Sequence, residues 1–205
     1  MSGSIAFFDF DGTITTRDTL LEFIQFSKGK APFYLGFALN SPWLVAYRAR
    51  LISNQKAKER ILTWFFGNMP VAAFQQLCDE FAETQVPALL RPKALQEIAE
   101  LQKKGFEVVI VSASPENWLQ KWTASIGASL LATRLETKPT PSSKPGPQRL
   151  SGRIQGINCH GEEKVRRIKE AYTLSDYHII HAYGDTSGDK PMLAIANHGF
   201  YKPFR

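Results

Sequence analysis

Short apolar runs recur along the chain, and each ends on a polar residue. Ile5 to Phe8 runs into Asp9, and Phe106 to Val111 runs into Ser112. His178 to Tyr183 runs into Gly184-Asp185; Ser129 to Leu135 is a weaker third run, and His198 to Tyr201 a fifth. Runs this short and β-branched predict buried strands. Between them lie helical patterns at Ala94 to Lys104, Pro115 to Ser125 and Glu162 to Tyr172. In the first of these Leu95, Ile98 and Leu101 share a face, and Gly105 stands where a C-cap belongs. Strands alternating with helices predict a parallel α/β sheet. Such sheets bind ligands beyond the carboxyl ends of their strands, where Asp9, Ser112 and Asp185 all fall.

From about Arg17 to Pro92 the alternation stops. The segment reads as all-helical, with Phe23, Phe26, Phe33, Phe37, Trp43, Tyr47, Trp64, Phe65, Phe66, Phe74 and Phe81 expected to form its core. Ala31 to Tyr47 is uncharged but is broken by Pro32, Asn40, Ser41 and Pro42, so a buried pair of short helices is expected there. It falls short of the roughly 20 apolar residues that a membrane-spanning helix needs. Thr137 to Gln148 carries four prolines and reads as an exposed, mobile loop. Leu135 before it and Leu150 to Gln155 after it are expected to pair as an antiparallel hairpin.

A length of 205 residues suits one compact core with a smaller insertion, or one large domain. Cys78 and Cys159 are far apart and lack metal-ligand spacing, so neither a disulfide scaffold nor a zinc site is expected, and a cytoplasmic setting fits. No basic stretch followed by an apolar one opens the chain, so no signal sequence is expected. Between Phe26 and Arg60 seven basic residues face Glu59 alone, which equals the chain's whole net charge of +6. Such an excess attracts nucleic acid, anionic lipid or phosphorylated substrates, and by itself selects none of them.

Phe7-Phe8-Asp9-Phe10-Asp11-Gly12-Thr13 sets two carboxylates just past a hydrophobic strand. One Asp can attack phosphorus, and a second can protonate the leaving oxygen and later activate water. Together they make a hard oxygen site for Mg²⁺. A plain Asp-Gly turn is the alternative. The rest of the chain weighs against that turn. Val109-Ile110-Val111-Ser112, Lys164 near a helix start, and Gly184-Asp185-Thr186-Ser187-Gly188-Asp189 follow in order.

With these four motifs the chain resembles the haloacid dehalogenase superfamily, in its phosphatase branch. The resemblance implies an α/β fold with a Rossmann-like parallel-sheet core, residues 1–17 and 92–205, and an inserted small helical cap, residues 18–91. It implies Asp9 as nucleophile and metal ligand, and Asp11 as general acid–base with its carbonyl on the metal. Asp185 would be the third ligand to Mg²⁺, and Asp189 would orient a water or Lys164. Ser112, Lys164 and Thr13 would meet the phosphate. Each has a plainer reading: Ser112 as a strand end, Lys164 as a solvated helix lysine, Asp185 as a turn acid, Asp189 as a helix cap.

Leu131 to Glu136, Leu150 to Ile154 and Asn158 to Val165 resemble the subgroup that contains phosphoserine phosphatase and phosphatidylglycerophosphatase C. Asp18 stands where phosphoserine phosphatases carry the glutamate that binds the substrate's ammonium, and it reads equally well as a helix N-cap. The expected partner is a phosphorylated lipid, such as phosphatidylglycerophosphate, or a small soluble phosphomonoester, such as phosphoserine. Nucleic acid is not an expected partner. Contact with an anionic membrane, peripheral at its inner face, is the further expectation. A non-enzymatic binding module is the rival of a different class, and the intact acid set argues against it.

Overall fold

The computed structural model describes residues 3–139 and 146–205. Five strands form one parallel sheet: β1 (Gly3–Phe8), β2 (Phe106–Pro115), β3 (Ser129–Thr133), β6 (Tyr177–Gly184) and β7 (His198–Tyr201), in the order β3-β2-β1-β6-β7. The α/β expectation and all five predicted strands are met. The chain builds outward from β1 through β2 to β3, then returns to the other side of β1 for β6 and β7. The switch point therefore lies beside β1, where such sheets open a crevice at the carboxyl ends. Ile5 to Phe8 are wholly buried because both faces of β1 are covered. Ala6 and Phe8 point into one apolar cluster and Ile5 and Phe7 into another.

The predicted helices appear as α7 (Pro92–Lys103), α8 (Gln120–Ser125, preceded by a 3₁₀ turn at Glu116–Trp118) and α9 (Glu162–Ala171); α10 (Lys190–Ala194) is short. The third apolar run divides at Arg134. Its end becomes β4 (Leu135–Lys138), which pairs antiparallel with β5 (Arg149–Ile154) as the expected hairpin. Residues 140–145 of the proline-rich segment, expected as a mobile loop, lie outside the described residues.

The insertion folds as α1 (Thr19–Lys28), α2 (Lys30–Leu39), α3 (Ser41–Arg48), α4 (Asn54–Phe66), α5 (Val71–Thr84) and α6 (Val86–Leu89). Its two ends meet at an antiparallel bridge between Thr15 and Leu90, with Thr16 N donating to Leu89 O and Arg91 N to Ile14 O, each at 2.8 Å. The insertion does not have a core of its own. Phe23, Phe66, Phe74 and Phe81 join Phe8, Phe10 and Trp118 in one continuous cluster. The hairpin adds a second seam: Asn68 N donates to Leu150 O at 2.8 Å, Leu150 N donates to Met69 O at 2.9 Å, and Ile154 N donates to Glu59 Oε1 at 3.0 Å.

Two expectations are corrected here. Ala31 to Tyr47 does form two short helices, but they are not buried. The stripe Phe33, Gly36 and Phe37 packs against Phe65, where a Cβ on Gly36 would meet the Phe65 ring at 2.3 Å. The opposite stripe, Tyr34, Leu35 and Leu39, faces outward because no described element lies over it. Trp43, Tyr47 and Trp64 are partly exposed rather than core.

Candidate active site

β1 ends in a tight turn that presents the first two acids. Asp11 (φ −73°, ψ 118°) and Gly12 (φ 82°, ψ −18°) have the angles of a type II turn, whose third position requires positive φ. Glycine is needed twice over: a Cβ at residue 12 would lie 2.6 Å from Asp185 Oδ2. The turn therefore lets the Asp185 strand end approach the Asp9 strand end.

Lys164 lies in the first turn of α9, where a cation opposes the helix dipole. It is also buried, so its charge must be compensated. Its Nζ donates to Asp9 Oδ1 at 2.6 Å, to Asp189 Oδ1 at 2.8 Å and to the Val111 carbonyl at 2.7 Å. Burial disfavours the charged form, but Asp9 and Asp189 outweigh it and hold the ammonium above the usual lysine range. The solvated-lysine reading is thereby excluded.

Asp189 serves two purposes at once. Its Oδ2 accepts from Asp185 N, Thr186 N and Thr186 Oγ1, closing a capping box, while Oδ1 receives Lys164. Burial pushes its carboxyl up, but Lys164 and the Thr186 donors prevail and hold it below the ordinary range. Asp9 differs. Burial, with Asp189 and Asp11 nearby, pushes its carboxyl up to about 7 against the pull of Lys164. Asp185 is raised by burial with Asp189, against Arg205, whose guanidinium reaches Asp185 Oδ2.

Asp9, Asp185 and Asp189 each offer an oxygen within 4.8 Å of the others. The donor set is all carboxylate, buried, and more negative than Lys164 alone can neutralise. A hard divalent cation such as Mg²⁺ fits that chemistry, with Asp9 and Asp185 as the carboxylates that would hold it. Asp189 differs in accepting four hydrogen bonds, three of them on Oδ2 from its own turn, and so orients Lys164.

Thr13, expected at the phosphate, lies behind the carboxylates. It donates to Asp9 Oδ2 at 2.9 Å and lies 3.2 Å from Asp185 Oδ1, so it orients the pair and does not line the pocket. Ser112, expected at the end of its strand, is fully buried three residues before the end of β2; its Oγ accepts from Ser114 N at 3.0 Å, and like Thr13 it does not line the pocket. Asp18 is the N-cap of α1, accepting from Leu20 N and Leu21 N, and it also lines the pocket. Burial in the pocket wall and the nearby Asp11 push its carboxyl up to about 6, against Lys58.

Several neighbours were not among the residues expected at the site. Asp11 Oδ1 accepts from Thr19 N and Thr19 Oγ1, both at 2.7 Å, and its Oδ2 accepts from Ser114 Oγ at 2.6 Å. Trp118 Nε1 in turn donates to Thr19 Oγ1 at 3.1 Å. The alternation Ser112-Ala113-Ser114 at a strand end was the available signal for Ser114. From the insertion come Lys58, Asn54 and Tyr47, which line the pocket opposite Asp9, Asp11 and His160. Lys58 Nζ donates to the Ala113 carbonyl at 2.9 Å; burial lowers its ammonium's pKa, with Asp18 and Asp11 opposing. Nothing in the local sequence distinguishes Lys58 from Lys56.

This geometry can be set beside known proteins. Protein CicA of Caulobacter vibrioides is 37% identical over 199 residues, 97% of this chain and 85% of that one. A Mycobacterium tuberculosis protein described as a probable phosphatase is 28% identical over 205 residues, 94% of this chain and 66% of that one. The crystal structure of a phosphoserine phosphohydrolase-like protein from Francisella tularensis shares the fold, with a TM-score of 0.62 at 17% identity over 97% of this chain and 85% of that one. Residues 6–194 match the haloacid dehalogenase-like hydrolases, a span that contains every acid of the cluster. The chain therefore belongs to the haloacid dehalogenase-like hydrolase family.

Proposed function

We propose that this hydrolase is a Mg²⁺-dependent phosphomonoester phosphatase that works through phosphorylated Asp9. The carrying observation is the division of labour between two carboxylates on one turn. Asp9 is held at the metal-type cluster by Lys164 and Thr13, while Asp11 is turned away from it towards Ser114 and Thr19. An Asp9 oxygen attacks phosphorus, the ester oxygen leaves, and Asp11 delivers the proton that the leaving oxygen needs. Water then attacks the phosphorus of phospho-Asp9, giving its proton to Asp11; inorganic phosphate departs and the Asp9 carboxylate is restored. Mg²⁺ held by Asp9 and Asp185 would supply positive charge to offset the repulsion between an anionic nucleophile and an anionic phosphate. Lys164 adds a fixed cation at the same point.

Residues 18–91 act as a cap over a core of residues 1–17 and 92–205. In support, the insertion leaves and rejoins the core at one bridge and sends Lys58, Asn54 and Tyr47 into the pocket wall. Asp18 and Lys58 put opposite charges beside the position of the leaving group, which favours a polar leaving group. Phosphoserine, or the glycerol headgroup of phosphatidylglycerophosphate, meets that requirement. The lipid reading has one observation of its own: Tyr47 of the pocket wall belongs to α3, the helix that also carries the exposed Trp43 and Val45.

Release of phosphate from p-nitrophenyl phosphate tests the chemistry. Activity should require Mg²⁺, vanish with chelator, and fall to near background in Asp9→Asn while circular dichroism stays unchanged. Mg²⁺-dependent turnover surviving in Asp9→Asn would overturn the nucleophile. A rate and Mg²⁺ requirement untouched by Asp185→Ala would overturn the ligand set.

A further inference from the structure

We infer that the outer face of α2 and α3 is a docking surface for an anionic lipid bilayer, and that it delivers the membrane surface to the mouth of the Asp9 pocket. The inference goes beyond the phosphatase reading and does not rest on it.

The apolar surface is concentrated in one place. Tyr34, Leu35, Leu39, Val45 and Leu51 are 56–78% exposed, and Trp43 is 46% exposed. On α2 the exposed residues Ala31, Tyr34, Leu35 and Ala38 follow helical spacing, so they form one outward stripe opposite Phe33, Gly36 and Phe37. A helix that is apolar on both faces has a second surface left to cover. Patches of this kind mark interaction sites in soluble folds.

Charge identifies the occupant. From Phe23 to Lys58 the sequence has no Asp or Glu. Lys30 stands one helical turn before Tyr34, and Arg48 one turn after Val45, so the cations sit on the apolar stripe's own side. Arg50 and Leu51 extend the set just past α3. A protein partner covering this surface would have to be both apolar and acidic. A leaflet of anionic lipid combines an apolar interior with negative headgroups, and Trp and Tyr favour that boundary.

Neither helix is long enough to enter deeply, since α2 has 10 residues and α3 has 8, and among the described residues no helix can cross a membrane. Peripheral attachment is the mode that remains for this surface. Tyr47, at the end of α3, lines the catalytic pocket, where it accepts a hydrogen bond from Asn54 Nδ2 at 3.0 Å. The helix that carries Trp43 and Val45 therefore ends at the pocket's edge. Three engaged cations strengthen attachment on the order of a hundredfold, and salt weakens it.

The test is flotation with vesicles of phosphatidylcholine, with and without phosphatidylglycerol. Wild type should float with the anionic vesicles at low salt and be released by salt. Lys30→Glu/Arg48→Glu/Arg50→Glu and, separately, Leu35→Ser/Leu39→Ser/Val45→Ser should each lose about tenfold or more in binding. Both should keep the wild-type circular dichroism spectrum and thermal unfolding midpoint, which reports that they fold. Negligible binding of wild type to anionic vesicles would overturn the inference, as would equal binding to neutral ones. Self-association of wild type, abolished in the Leu35 variant without any vesicle binding, would assign the surface to a second copy of the chain instead.

Discussion

Lys164 Nζ sits 2.6 Å from Asp9 Oδ1, and both side chains are almost completely withdrawn from solvent. The same ammonium holds Asp189 at 2.8 Å. One cation thus ties the end of β1 to the turn after β6, across the switch point of the sheet. Lys164→Met should leave two buried carboxylates without their partner and cost about 3–5 kcal/mol. Urea unfolding of the metal-free protein measures it. A loss under about 0.5 kcal/mol, the value for an ordinary surface lysine, would contradict the buried network.

Ser114 is the residue whose role is least expected from its surroundings. Its hydroxyl donates to Asp11 Oδ2 at 2.6 Å, while Thr19 serves the other oxygen. Ser114→Ala leaves Thr19 in place but frees the carboxylate to rotate. The expected result is a fall in kcat of about tenfold or more, with KM little changed. A change confined to KM would place Ser114 at the substrate and not at the proton donor.

Gly12→Ala tests the turn. The residue has φ 82°, and an added Cβ would meet Asp185 Oδ2 at 2.6 Å. Backbone strain alone should cost about 1–2 kcal/mol. Displacing Asp185 should also raise the Mg²⁺ concentration needed for half-maximal rate. The paired measurements are thermal unfolding and a Mg²⁺ titration of activity.

Glu163 carries a pH signature away from the reacting atoms. Arg166 donates to both its oxygens, at 2.6 and 2.7 Å, and Arg167 adds a bond at 2.8 Å. The bonds from Arg166, opposed by burial and helped by Arg167, hold the carboxyl below its ordinary 4.5. A depressed acid stabilises the fold above its unfolded pKa, and that contribution is lost as pH falls through the folded value. Glu163→Gln should therefore be less stable by about 1 kcal/mol at pH 7, since Arg166 is half exposed and partly screened. The difference from wild type should close as the pH is taken well below 4.5. A gap that is constant with pH would show that packing, not charge, is lost.

The alternation of strand and helix, the helical character of residues 18–91, the β4–β5 hairpin and the acids at the strand ends were all legible in the sequence. Each of these is local: periodicity reports which side of an element is covered, and a strand delivers its last residue to a known end of a parallel sheet. Tertiary structure alone decided three other things. Thr13 turned to the Asp9–Asp185 pair because the Gly12 turn brings those strand ends within reach. Lys58 entered the pocket because α4 packs on β5 and so brings the Lys58 ammonium to the Ala113 carbonyl, a juxtaposition that no sequence spacing encodes. The aromatic residues of α2 and α3 read as core by composition. Whether an apolar stripe is buried depends on a second element arriving to cover it: α4 covers Phe33 and Phe37, and no described element reaches Tyr34 and Leu35.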